Sequence, residues 1–312
     1  MGTLWSSFVQ PPRVLWFSRR WRFPCEQADC WRRALRLPPT GTICEVGCGP
    51  GGLLTRIAET TIPPGRVIGV DRDAGMLAFA RERVRELRLT GMEFLQADAL
   101  ALPLPDGCLD ALTSYTLFEH IAGPDAFCRE CRRVLRPGGA LSVASTGSSF
   151  RVEGRLPQPP AELAREIARL EAIADPWREA IDRVAGVGCG APLGDLPNVV
   201  RGWGLADFRV DSWSRTVCLD DARLSPEDRH DIVRDCCAVP PALPPAEADL
   251  RLALREAGAG PPDSPYLTDG QRRRLRELYD LRERLALQEA DRQGAGPFYV
   301  TSVMLAASGV VA

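Results

Sequence analysis

The chain has 312 residues, 45% hydrophobic and 26% charged, which suits one large core or two modest ones and excludes disorder as the dominant state. A formal net charge of -2 supplies no global field for DNA or RNA, so nucleic acid is not an expected partner. All 39 basic residues are arginine, which excludes a lysine nucleophile, a Schiff base and a phosphate-loop lysine.

In chain order, residues 1–40 come first. The stretch Met1 to Cys25 has no acidic residue and sets Arg13, Arg19, Arg20 and Arg22 among Trp5, Phe8, Trp16, Phe17, Trp21 and Phe23. Such a segment suits peripheral contact with a membrane surface, a targeting role, or a cap over the main domain. Pro11 and Pro12 interrupt any long helix and no clean cleavage pattern follows, so the cap is the reading adopted. No run of 18 uncharged apolar residues occurs; no membrane span is expected, and the location is read as cytoplasmic.

Residues 41–146 alternate short apolar runs with helical patterns. Thr42 to Val46 reads as a strand running into Gly47-Cys48-Gly49-Pro50-Gly51-Gly52, after which Leu53, Leu54, Ile57 and Ala58 recur at helical spacing. Arg66 to Val70 is a second strand, ending at Asp71 and followed by a helix from Ala74 to Leu87. Strands three and four are Glu93 to Gln96 and Leu109 to Ser114. The next helix starts at Pro124, where the missing N–H is already an orphan, and runs to Leu135. Arg136-Pro137-Gly138-Gly139 stops it, and Ala140 to Ala144 is strand five. This alternation predicts an α/β fold, a mostly parallel sheet with helices on both faces.

Residues 147–204 are expected as a helical insertion, with helices at Pro160 to Ala174 and Trp177 to Val184 before the glycine-rich stretch Gly186 to Gly190. Residues 205–218 return to the sheet at Phe208 to Val217. Residues 219–297 form a second insertion with a charged helix at Asp269 to Gln288, whose Leu275, Leu278, Leu281 and Leu285 make one apolar seam. That seam suits a lid packed on its own chain or a dimer contact, leaving monomer and homodimer both open. Residues 298–312 contain the closing strand, Phe298 to Ala307.

Glycine at 47, 49 and 51 allows positive φ and lets a ligand approach the backbone, and a turn leading into a helix N-terminus suits an anionic group. Gly47, Gly49 and Gly52 also satisfy the dinucleotide pattern GxGxxG. Asp71 ends strand two, where a carboxylate accepts from ribose hydroxyls; Asp98-Ala99 follows strand three, where one accepts from the exocyclic amine of a base. Together they point to an adenosine compound. The eleven cysteines are odd in number and scattered, as reduced thiols are; Cys128 and Cys131 have no second pair at zinc spacing, and no metal is expected.

The run Glu45 to Gly52 resembles motif I of the class I S-adenosylmethionine-dependent methyltransferases, and Val67-Ile68-Gly69-Val70-Asp71 resembles their acidic strand-two motif. Phe94 to Ala99, Leu102 to Gly107, Leu109-Asp110-Ala111 and Arg133 to Gly139 are similar to the ubiquinone/menaquinone-biosynthesis branch, methyltransferase type 11. The resemblance implies a seven-stranded Rossmann-like sheet with an antiparallel last strand, helical insertions as a lid, and S-adenosyl-L-methionine as cofactor. It implies that Gly47, Cys48, Gly49 and Gly51 hold the methionine portion with Glu45 organising the loop, and that Asp71 takes the ribose. Asp98 then takes the adenine amine, Ala99 stacks on the ring, and Met76, Arg72, Ser114 and Tyr115 complete the candidate cofactor set.

His120 follows strand four and is the candidate general base, with hydrogen bonding at a helix start as its alternative; Tyr115 and Glu119 are candidates for acceptor contact. Phe17, Trp21 and Tyr266 suit an aromatic cover, while Trp177 and Trp203 in the first insertion suggest a moderately hydrophobic or aromatic small-molecule acceptor. Whether oxygen, nitrogen or carbon receives the methyl group is open. No Asn/Asp-Pro-Pro-Tyr/Phe tetrapeptide follows strand four, which disfavours methylation of adenine or amide nitrogen. The alternative function is an inactive methyltransferase-like scaffold that binds a protein partner.

Overall fold

A computed structural model describes residues 3–62, 65–146, 151–153, 159–219, 221, 224–236, 243–292 and 299–312. Strands β1 (Thr42–Val46), β2 (Arg66–Asp71), β3 (Met92–Gln96), β4 (Leu109–Tyr115) and β5 (Leu135–Ser145) are parallel and lie in the order β3-β2-β1-β4-β5. The sheet continues through β8 (Tyr299–Val310), which runs antiparallel to β5 with Val143 opposite Ala307. The far edge of β8 pairs antiparallel with β7 (Ala206–Cys218), and a three-residue β6 (Arg151–Glu153) pairs with the start of β8 beyond the end of β5. The expected seven strands and antiparallel close are present; β6 is an addition that the sequence pattern does not announce.

Alternation along each strand sorts the core into two layers. Cys44, Val46, Ile68, Val70, Leu112 and Val143 pack on one face with Phe127, Cys131 and Val134 of α5 (Pro124–Val134) and with Val200 of α7 (Leu196–Gly202). Ile43, Val67, Ala111 and Met304 pack on the other face, against Leu53, Leu54 and Ile57 of α3 (Gly52–Glu59), Leu77 of α4 (Ala74–Glu86) and Trp31 of α2 (Ala28–Ala34). Strand order reverses beside β1, so the crevice between the ends of β1 and β4 is where this architecture receives a ligand.

Before the sheet come a π-helical turn (Trp5–Val9) and α1 (Pro12–Arg22), split by Pro11-Pro12 as expected. The long insertions supply α6 (Ala161–Ala185), α8 (Pro226–Cys236), α9 (Glu247–Glu256) and α10 (Asp269–Asp291). Leu163, Ile167, Leu170 and Trp177 of α6 share a third core with Leu250 and Leu254 of α9 and Leu275 and Leu278 of α10. The α10 seam therefore packs within its own chain at Leu275 and Leu278, while Leu281 stays 38% exposed. A capping box between Thr268 and Gln271 starts α10.

Two expected boundaries change. The two helices placed on either side of Pro176 are one: Pro176 forfeits one ladder N–H, but Ala174, Trp177, Ala180 and Ile181 continue a buried stripe that carries α6 to Gly186. Arg136-Pro137-Gly138-Gly139 ends α5 but does not delay the strand, because β5 begins at Leu135 and absorbs the segment as an irregularity opposite Leu109 and Ala111. Phe298, Cys237 and residues 147–150, 154–158 and 293–297, which fall in the expected insertions and closing strand, lie outside the described residues. Among the described residues, no helix is long and apolar enough to cross a membrane.

Candidate functional site

The turn after β1 carries Gly47, Gly49 and Gly51 at φ 72°, 51° and 80°, a left-handed region that side chains resist. An added Cβ on Gly49 would meet nothing within 4 Å, so this position faces open space. The turn's donors are committed. Gly47 N and Cys48 N both donate to Val70 O at 2.7 and 3.1 Å, Gly49 N to Asp71 Oδ2 at 2.8 Å, and Gly51 N to Cys48 O at 2.9 Å. Pro50 has no N–H. The N-terminus of α3 is covered too, since a Cβ on Gly52 would lie 2.7 Å from Trp16 O and 2.9 Å from Arg19 Cβ. Between Gly47 and Gly51 the corner thus offers space, carbonyls and nearby carboxylates, with its own amide donors already engaged.

Asp71 is half-buried at the end of β2, and its other oxygen, Oδ1, accepts from Asp73 N at 2.8 Å. Burial raises its pKa, and the amides of Asp73 and Gly49 oppose that rise. A carboxylate has about four lone-pair sites, so Asp71 retains accepting capacity for a ligand. Asp73 caps α4 through Met76 N at 3.0 Å and also ties down the N-terminal arm, taking Ser6 Oγ at 2.7 Å and Ser6 N at 3.1 Å. Asp98 is exposed, its Oδ1 accepting from Leu100 N at 2.8 Å. Beneath the turn, Glu45 is 2% exposed and its Oε2 has no partner; burial pushes its pKa well up, against the pull of Arg19.

These groups border a cleft of about 320 Å³. Its floor is Val46, Gly47 to Pro50, Val70, Asp71, Arg72 and Met76, and its side is Ala97, Asp98 and Ala99. Trp5, Gln10, Leu15 and Arg19 of the arm, with Thr116, Leu117, His120 and Ile121 after β4, complete it. Arg19 donates to Thr116 Oγ1 at 2.6 Å and its guanidinium lies 5.5 Å from the Tyr115 ring centre. Trp5 Nε1 donates to Ala185 O at 3.0 Å, and Arg72 donates to the same carbonyl, so the end of α6 is pinned beside the cleft. His120 Nδ1 accepts from Gly188 N at 2.9 Å, and its ring meets Trp5 edge-on at 4.9 Å. Burial lowers the His120 pKa; Glu119 opposes this, and Arg72 and Arg19 reinforce it.

Of the residues expected at the site, Gly47, Cys48, Gly49, Asp71, Arg72, Met76, Asp98, Ala99 and His120 border the cleft together. Glu45, Gly51, Ser114, Tyr115 and Glu119 are not in its lining. Ser114 and Tyr115 are buried in β4; the Tyr115 ring meets Phe23 edge-on at 4.9 Å and its hydroxyl bonds Thr146 Oγ1. Glu119 Oε1 accepts from Ser145 Oγ at 2.7 Å. Trp177 and Trp203 are core residues at 0% and 8% exposure, and neither they nor Phe17, Trp21 and Tyr266 reach the lining. The aromatic that does is Trp5, joined by Gln10, Leu15, Arg19, Thr116 and Leu117, none of which the sequence reading placed there. The signal for the arm residues was the concentration of arginine and aromatics before residue 25, which showed that the segment packs but not which side chains face inward.

A family model described as a methyltransferase domain matches residues 44–143. A demethylmenaquinone methyltransferase of Thermus thermophilus is 41% identical over 118 residues, covering 36% of this chain and 52% of that protein. An uncharacterised transposon protein of Streptomyces fradiae is 40% identical over 108 residues, covering 35% of this chain and 31% of its own length. The chain thus spans about half, or less, of the curated relatives it matches. Among solved structures, a geranyl diphosphate C-methyltransferase of Streptomyces coelicolor aligns at TM-score 0.44 and 17% identity, over 91% of this chain and 79% of that one. The matched segment resembles class I S-adenosylmethionine-dependent methyltransferases of the ubiquinone/menaquinone type.

Proposed function

We propose that this chain transfers the methyl group of S-adenosyl-L-methionine to a small-molecule acceptor in the cleft between the β1 turn and the N-terminal arm. The observation that carries the reading is the glycine corner: it is open at Gly49, its amides are engaged, and carboxylates stand beside it. A pyrophosphate seeks free N–H groups, whereas a cationic ammonium and sulfonium seek carbonyl and carboxylate oxygen; the second pair fits this corner. Asp71 retains lone pairs for ribose hydroxyls, Asp98 stands where it can accept from an adenine amine, and Ala97, Ala99 and Met76 supply an apolar wall.

When bound, the cofactor supplies a methyl group already activated on sulfur. The chain's task is alignment and exclusion of water. The N-terminal arm serves as the cap, through Trp5, Leu15 and Arg19, and α6 serves as the lid, through its end held by Trp5 and Arg72. Trp5, Leu15, Leu117 and Ile121 favour a moderately hydrophobic or aromatic acceptor, in keeping with the quinone named for the relatives.

The test is turnover. Incubation with S-adenosylmethionine and a pool of small aromatic metabolites is expected to yield S-adenosylhomocysteine and one metabolite heavier by a methylene unit. Asp71→Asn, which keeps the size of the side chain, is expected to weaken cofactor affinity about tenfold, equal to about 1.4 kcal/mol. Unchanged affinity in that variant contradicts the ribose assignment, and a pool with no methylated product contradicts the activity.

A further inference from the structure

The glycine-rich stretch Gly186 to Gly190, which follows the end of α6, wraps the histidine at the cleft. Gly188 N donates to His120 Nδ1 at 2.9 Å, Gly190 N to Glu119 O at 2.9 Å, and Cys189 Sγ to His120 O at 3.1 Å. A Cβ on Gly190 would fall 2.3 Å from Phe118 O, so only glycine permits this approach. A backbone amide is a donor and never an acceptor. Nδ1 is therefore the lone-pair nitrogen, and the neutral ring carries its hydrogen on Nε2. Nε2 makes no hydrogen bond among the described residues, and the ring borders the cleft beside Trp5.

We infer that His120 is a fixed, neutral hydrogen-bond donor of the acceptor subsite, whose Nε2–H holds an accepting oxygen or ring nitrogen of an aromatic or quinone-like molecule packed against Trp5. This deepens the proposed function and rests on it for the identity of that molecule as the methyl acceptor. The assignment replaces a general base with a positioning residue. A base needs a free lone pair turned toward the substrate, and the lone pair of His120 is held by Gly188. The charged groups around the ring agree: Arg72 and Arg19 disfavour the imidazolium together with burial, and only Glu119 favours it.

The test uses the full chain labelled with 15N-histidine, in which His120 and His230 are the only two imidazoles and His120→Gln assigns them by loss of one. The expected result is an Nε2–H tautomer at His120 with a midpoint below the ordinary value of about 6.5. Addition of 2-naphthol, a stable aromatic with an accepting oxygen, is expected to shift the His120 Nε2–H resonance saturably and leave His230 in place. An Nδ1–H tautomer, a midpoint at or above the ordinary value, or an Nε2–H unmoved at the solubility limit of naphthol overturns the inference. Because no cofactor is added, failure of S-adenosylmethionine binding removes the proposed function without touching this result.

Discussion

Gly49 in the open turn and Glu45 buried in the strand before it fail in different ways when changed. Gly49→Ala places a methyl group in the open corner at a left-handed φ, which costs about 1–2 kcal/mol of stability. The chain is expected to remain folded by circular dichroism, with S-adenosylmethionine affinity reduced by about tenfold or more. Glu45 has its folded pKa raised above its unfolded value of 4.5 by burial, so its contribution is fully present below that value and is lost as pH rises. Glu45→Gln removes the loss, and its Tm is expected to exceed the parent's at pH 8 by about 2–4 °C for each kcal/mol gained. The difference should vanish in acid; a lower Tm at pH 8 contradicts the picture. His120 acts with the other sign. Burial lowers its folded pKa, so the unfolded chain takes up the proton first and stability falls as pH drops below 6.5. At this scale the sequence disclosed residues whose chemistry is fixed by position on a strand end, such as Gly49, Asp71 and Asp98. It did not disclose that Ser114 and Tyr115 are both buried, because adjacent strand residues point to opposite faces and covering of both faces at the end of β4 is a tertiary matter.

Among the elements, the strands and helices of residues 41–146 were legible because alternation, glycine turns and a proline at a first helical position mark them locally. The helix α6 was misread as two because a proline is a local signal, whereas the buried stripe that overrides it is tertiary. Trp177 sits in that stripe with no exposed surface, and its Nε1 donates to Ser264 O at 3.2 Å. Trp177→Ala is expected to destabilise the chain by about 3–5 kcal/mol, measured as a lowered urea midpoint, since it leaves a large cavity among α6, α9 and α10. A loss below about 1 kcal/mol contradicts its place as a core residue, and a changed acceptor preference with intact stability returns it to the substrate side. The π-helical turn at the N-terminus shows the converse: Ser6 and Trp5 reach Asp73 and Ala185 across the chain, contacts that no local pattern announces.

For the whole molecule, one sheet serves two purposes. Its first five strands set the cleft, and β7 and β8 extend the sheet away from it while the insertions fold back as helices with a core of their own. The family likeness reaches residues 44–143, and the N-terminal arm and the helical insertions lie outside it. Acceptor identity was illegible because Trp177, Trp203 and Tyr266 looked available as isolated aromatics but are consumed by packing, while Trp5 took the place at the cleft. In the proposed function the glycine corner, with its amides engaged and carboxylates alongside, receives a cationic sulfur cofactor and not a phosphate chain. Isothermal titration of the full chain with S-adenosylmethionine and, separately, with ATP tests this directly. One saturable site for S-adenosylmethionine, weakened in Gly49→Ala, and no comparable heat with ATP are expected. Binding of ATP as tight as that of S-adenosylmethionine, or no binding of S-adenosylmethionine, contradicts it.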